Sequence, residues 1–268
     1  MFDLSLWLLA GFVVFLVGLS KGGFGGGLGA LAVPLLTLKI DPRLAAALLL
    51  PVLCIMDLVS VYAYRGRWNK RHVLALIIPA LVGIGAGVVC FEYMSVRMIK
   101  FMIGSIAITF VFYYIWGRAW LELKKGQLQV FQSSGGAAAN SDKWKIPFSA
   151  GFWGSISGFS SFVAHAGGPP ATIYLLGQQL DKTAFVATTV LTFTIINLVK
   201  VIPYIATGLL HFDTIWLSIS LLPIAPIGVI VGAYLHKKVS TKIFYGICYV
   251  LLFASGVKLI WDAIQALD

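Results

Sequence analysis

Two short stretches of this chain combine residues that rarely meet inside apolar sequence. The first is Lys21-Gly22-Gly23-Phe24-Gly25-Gly26-Gly27-Leu28-Gly29, followed by Pro34; the second is Ala164-His165-Ala166-Gly167-Gly168-Pro169-Pro170. Glycine and proline interrupt helices. At membrane depth, broken backbone survives only where protein buries it or a wet cavity borders it. Half-helices that begin in such a place aim free N–H groups and a positive dipole end at one point, which suits an anion. Gly22, Gly23, Gly25, Gly26, Gly27, Gly167 and Gly168 are therefore candidate anion contacts. Lys21 would add positive charge at a half-helix N-terminus, the plainer alternative being an interfacial anchor. His165 would hydrogen-bond within the structure, or titrate near neutrality and couple a proton. A lone glycine is better explained by close helix packing; two such motifs at matching places point to a site.

A second set of candidates is charge buried in apolar runs. Such groups are costly in a bilayer and usually face the bundle interior or a wet cavity. Asp57 falls past the middle of the apolar segment 44–64, and Lys200 in the later part of 183–207. Asn197 lies one helical turn before Lys200. We expect Asp57, Asn197 and Lys200 to converge on a central cavity, with Lys200 offering its charge to the anion or pairing with Asp57 when the site is empty. Snorkelling of Lys200 to the interface is the competing reading. His72, His211 and His236 sit at loop edges and are expected to take no part.

The surroundings of these residues set the class of protein. Of 268 residues, 59% are hydrophobic and only 11% charged, where a soluble chain carries about 25% charged. Mean hydropathy is +0.93. This excludes a soluble domain, a disordered chain and a disulfide-stapled module. The surplus of 20 basic over 10 acidic residues does not indicate nucleic acid, because the basic residues border apolar runs instead of forming a patch. Cys54, Cys90 and Cys248 lie scattered inside apolar segments, with no disulfide framework or zinc spacing. The N-terminal run has no basic leader and is expected to stay on the chain. No cofactor or metal is expected. The long continuous runs predict helices and not barrel strands.

Apolar segments fall near 4–20, 24–38, 44–64, 73–91 and 96–117, and again near 148–163, 170–180, 183–207, 214–235 and 241–261. Residues 118–146 between them have linker composition. The second set repeats the first at a shift of 140. Ala10-Gly11-Phe12 matches Ala150-Gly151-Phe152; Gly18 and Ser20 match Gly158 and Ser160; Gly27 matches Gly167; Asp41 matches Asp181; Tyr64 matches Tyr204. Asp57 falls on Asn197. With small gaps, Pro79 matches Pro223 and Gly87 matches Gly232. Asp41 and Asp181 precede new segments and read as helix caps, with Pro42 at the first helical position.

Basic residues orient the chain. The loop 65–72, the linker and the loop 236–242 carry Lys and Arg and should be cytoplasmic; Gly208–Asp213 carries none and should face outward. Both termini then lie outside, with Arg97 and Lys100 placed outside against the rule. Each half crosses an odd number of times, so the halves are inverted. The expected fold is an all-α polytopic membrane protein of two inverted-topology repeats with about five hydrophobic segments each, short or broken at the glycine motifs. The repeats span 1–117 and 147–268, with 118–146 a cytoplasmic linker. The glycine-rich segments fit either full spans or re-entrant hairpins.

The sequence resembles the TauE/SafE family of sulfite exporters. The resemblance rests on Gly22–Gly29 with Pro34, on Ala164–Pro170 with Tyr174-Leu175-Leu176, on Phe185-Val186-Ala187-Thr188 and on Asn197-Leu198-Val199-Lys200, and it covers nearly all of the chain except the linker. It implies transport of sulfite, sulfoacetate or a related organosulfur anion across the cytoplasmic membrane. The reading is thus a secondary transporter working by alternating access, its partners a small anion, the lipid bilayer and a coupling proton, with no nucleic acid. A passive anion channel of the same architecture is the alternative. A membrane enzyme would need clustered His, Cys, Asp or Glu, which this sequence lacks. It also lacks a phosphate-binding loop that would make it an ATPase.

Overall fold

The computed structural model describes residues 3–23, 29–131, 148–178, 180–235 and 241–265. They form eleven α-helices and no strand: α1 (Leu4–Gly23), α2 (Gly29–Thr37), α3 (Pro42–Ala63), α4 (Lys70–Tyr93), α5 (Val96–Phe131), α6 (Phe148–Ala164), α7 (Gly168–Leu176), α8 (Lys182–Ala206), α9 (Phe212–Leu221), α10 (Ile224–Leu235) and α11 (Thr241–Gln265). Windows in α1, α3, α4, α5 and α8 are each long and apolar enough to cross a membrane, and α9 with α10 make up to one more span, bent by 40°. The protein is a multi-pass helical membrane protein.

Capping follows the sequence. Asp41 accepts the Arg43 N–H at the start of α3, and Asp181 accepts those of Thr183 and Ala184 at the start of α8. Two expectations change in detail. The single segment near 214–235 is two helices, broken around Pro223, whereas its counterpart Pro79 stays inside continuous α4. Proline removes one ladder bond and bends a helix; at Pro79 the neighbouring α6 lies alongside, and Ser155 Oγ donates to its carbonyl at 3.2 Å. Helix α5 runs on to Phe131, so the stretch with linker composition begins as helix.

The two short helices, α2 and α7, have nine residues each, about 14 Å against the roughly 30 Å of bilayer hydrocarbon. Neither is long enough to span by itself. Helix α2 packs on α1 and α7 on α6, and each pair is referred to below as a hairpin.

The most extensive packing joins the halves to each other: α4 lies against α6, and α1 against α10. Under the 140 shift α1 corresponds to α6, and α10 lies in the counterpart of α4, so these are one contact made twice. Glycine permits both. A Cβ on Gly158 would run into the Ala80 carbonyl, and one on Gly232 into that of Leu19. These two glycines serve helix packing. Crossing α3 and α8 form the centre. The start of α4 meets α8, with the N–H of its cap residue Asn69 donating to Thr188 Oγ1 at 2.9 Å. The beginning of α3 meets α9, which follows α8, with Ser218 Oγ donating to the Leu48 carbonyl at 2.7 Å. Leu48 and Thr188 are themselves counterparts under the shift.

Candidate functional site

Among the described residues the buried Asp, Glu, His, Lys and Arg side chains are few: Asp57, His165 and Lys200. With Asn197, Lys21 and three serines of α6 they form the polar centre of an otherwise apolar interior. An apolar helix can bury Asp57 only if its charge is compensated, and two partners do so. Lys21 Nζ pairs with Asp57 Oδ1, and Asn197 Nδ2 donates to Asp57 Oδ2 at 2.5 Å. The ion pair links α1 to α3; the hydrogen bond from the Asn197 amide links α3 to α8. Residues 57 and 197 stand 140 positions apart and touch, so each meets its own counterpart.

Lys200 is completely buried. Its ammonium donates to the Ser161 carbonyl at 2.8 Å, to Ser161 Oγ at 3.0 Å and to His165 Nδ1 at 2.8 Å. These use all three N–H groups of a lysine. His165 must accept at Nδ1, so its proton sits on Nε2, which reaches the Ala46 carbonyl at 2.8 Å. The imidazole is thereby fixed in its neutral Nε2–H form. Its backbone is left-handed, φ 50°, a conformation uncommon outside glycine and Asn/Asp. That turn ends α6 and swings the ring onto Lys200.

The irregular backbone after α6 is satisfied by α6 itself. Ser157 Oγ donates to the Gly167 carbonyl at 2.8 Å and Ser160 Oγ to that of Ala166 at 3.2 Å. The Ala166 N–H returns to the Ser160 carbonyl at 3.1 Å. Gly167 is locked there, since a Cβ would lie 2.6 Å from the Ser157 carbonyl and 2.8 Å from Ser161 Cβ. At Gly168 no described atom comes within 4 Å of such a Cβ. The start of α2 also meets the turn after α6: a Cβ on Gly29 would sit 3.4 Å from the His165 carbonyl.

The predicted residues thus divide. Asp57 and Asn197 meet as expected, and His165 joins Lys200, which is buried and does not snorkel. Lys200 does not pair with Asp57; Lys21 does. Lys21 also does not stand at a half-helix N-terminus. It lies in the last turn of α1, where a cation complements the negative end of the dipole. Gly22 and Gly23 are the final residues of that helix, so they offer no N-terminal N–H groups. Gly25, Gly26 and Gly27 lie outside the described residues. Gly167 and Gly168 do open α7, but Pro169 and Pro170 follow at once and supply no N–H. The Ala171 N–H already reaches the Gly167 carbonyl at 3.3 Å. The expected cradle of backbone donors is therefore thin, and side chains carry the site.

Sequence reasoning passed over Ser157, Ser160, Ser161 and the Ala46 carbonyl. The serines were visible as an i, i+3, i+4 stripe in an apolar helix, and Ser161 is the repeat counterpart of Lys21. His72, expected to take no part in the site, ties α4 to α7, its Nδ1 lying 2.9 Å from Tyr174 Oη.

The model of the sulfite exporter TauE/SafE family matches residues 10–259 of the chain. Comparison with curated proteins and with solved structures found no match.

Proposed function

The chain belongs to the sulfite exporter TauE/SafE family of membrane transporters, and on that premise we propose that it is a secondary transporter of sulfite, sulfoacetate or a related small organosulfur anion. The observation that carries this reading is Lys200. It is a fully buried ammonium held by neutral groups alone, while Asp57, the buried carboxylate among the described residues, is already neutralised by Lys21. The polar centre therefore keeps about one uncompensated positive charge, the complement of one monoanion.

In this proposal the halves are inverted repeats. The α3–α8 contact supports it, because counterpart residues touch there at 57 and 197. The reading puts the chain in the cytoplasmic membrane with the linker inside and both termini outside. Alternating access moves the hairpins α1–α2 and α6–α7 about the α3–α8 crossing, exposing the centre to one side and then the other. With His165 held neutral, a coupling proton would enter only after Lys200 leaves Nδ1.

Counterflow in proteoliposomes tests this reading. Protein loaded with unlabelled sulfite or sulfoacetate is expected to draw in labelled anion transiently, with saturation, and to leave sulfate and chloride behind. Runs with and without a pH gradient detect a coupling proton. Flux that rises linearly without counterflow would overturn the transporter reading in favour of a channel.

A further inference from the structure

The two lysines of the centre are not equivalent in this structure. Lys200 has all three protons on protein acceptors and no exposure. Lys21 keeps its side chain 17% exposed, and the partner described for it is one oxygen of Asp57. An incoming anion thus meets Lys21 first, and finds a carboxylate already there. That carboxylate resembles the oxygen face of a small oxyanion, and it is held at its other oxygen by Asn197 on the opposite half. Asn197 gives Asp57 a pivot: Oδ1 can leave Lys21 while Oδ2 stays bonded.

We propose that Asp57 is a tethered competitor for the anion seat on Lys21, displaced when substrate binds and returning to expel it. This deepens the transporter reading and rests on it. Asp57 then sets affinity and release together. While it sits on Lys21 it weakens binding, because two anions share one cation. Its return on the far side weakens the hold on substrate and speeds exit.

The test is the Asp57→Asn variant, which keeps the shape and the bond to residue 197 and removes the charge. Purified protein is titrated with sulfite and with sulfoacetate, and counterflow is measured on the same preparation. Kd is expected to fall at least tenfold, while the counterflow rate falls too because release slows. A merely structural Asp57 would lose both or neither. The Lys21→Met, Asp57→Asn double variant, which removes both charges of that pair, is expected to lose the gain in affinity. Asp57→Ser serves in place of the first variant if that one does not accumulate. The proposal is overturned if the single variant binds no tighter than wild type, or if its gain persists without Lys21. A wild type that binds neither anion and shows no counterflow overturns the transporter reading itself, which separates the two failures.

Discussion

Replacing Lys200 with methionine removes the charge on which the anion site depends and nearly conserves the volume. Two energies follow from its surroundings. For folding, the loss of three hydrogen bonds strands His165 Nδ1, an unsatisfied buried acceptor worth about 1–3 kcal/mol, while the Ser161 carbonyl keeps the His165 N–H at 3.1 Å. Ser161 Oγ keeps freedom to turn. Against this, the variant no longer buries an ammonium without a carboxylate beside it, a penalty of several kcal/mol. The terms oppose each other, so the variant is expected to fold with a melting temperature near wild type. For binding nothing compensates. Lys200 has no N–H to spare and acts on the anion through its charge, worth about 2 kcal/mol at roughly 8 Å and an effective dielectric of about 20, so Kd should rise about 30-fold, and counterflow at low substrate should fall in proportion. The assay is counterflow at matched reconstitution, with Kd from titration of the same preparation and a melting curve in detergent. Wild-type Kd and rate in a well-folded Lys200→Met protein would refute the reasoning, because an anion site that ignores its one uncompensated charge is not the site described here.

Further outcomes follow from the same geometry. His165→Leu, which strands the Ala46 carbonyl and one Lys200 proton, should lower stability by about 2 kcal/mol or more; His165→Asn, a residue at ease with φ above zero, should lose less, and equal losses by thermal melting would contradict the account of that turn. Gly158→Ala forces a methyl into the Ala80 backbone and should cost about 1–3 kcal/mol or more, seen as lost folded yield by size-exclusion of the solubilised protein. Asp181→Ala should cost about 0.5–2 kcal/mol as a lost cap with Kd unchanged, and an altered Kd would draw Asp181 into the site.

How much of this the sequence could reveal depended on the range of the interaction. Local signals read correctly. The capping aspartates, the apolar segments and the shift of 140 are properties of neighbouring residues or of self-similarity, and they locate the helices without any knowledge of packing. The lengths of α2 and α7 were not local. They turn on where helix resumes, at Gly29 and Gly168, and nine residues alone are too few to cross. The pairing of Asp57 was also beyond reach. Lys21 and Lys200 were both candidate cations, and the choice depended on which helix leans on α3 at that depth. The aligned prolines warn against carrying a repeat too far: Pro79 stays within a helix packed on α6, while Pro223 stands at a break.

Duplication and divergence contributed different things to this centre. On the proposed repeat, duplication supplied its geometry: two hairpins, two crossing helices, and one place where a residue meets its own counterpart. Had that place stayed identical in both halves, the contact would join two carboxylates, which repel, or two neutral amides, which bring no charge. The pair found there is Asp57 with Asn197, a donor against an acceptor, and it puts a single negative charge at the crossing. Divergence did the same at two other positions. The counterpart of Lys21 is Ser161, and the counterpart of Lys200 is Ser60. In the first half the lysine stands on the hairpin and its acceptor on the crossing helix. In the second the lysine stands on the crossing helix and its acceptors on the hairpin. Each hairpin is thus fastened by one lysine, but the fastenings differ in kind. One is an ion pair that another anion can replace, and the other is a set of neutral acceptors that leaves its charge unspent. A symmetric scaffold with unequal fastenings has a physical reason to open one side before the other, and the resting position of Asp57 determines which lysine the anion meets first.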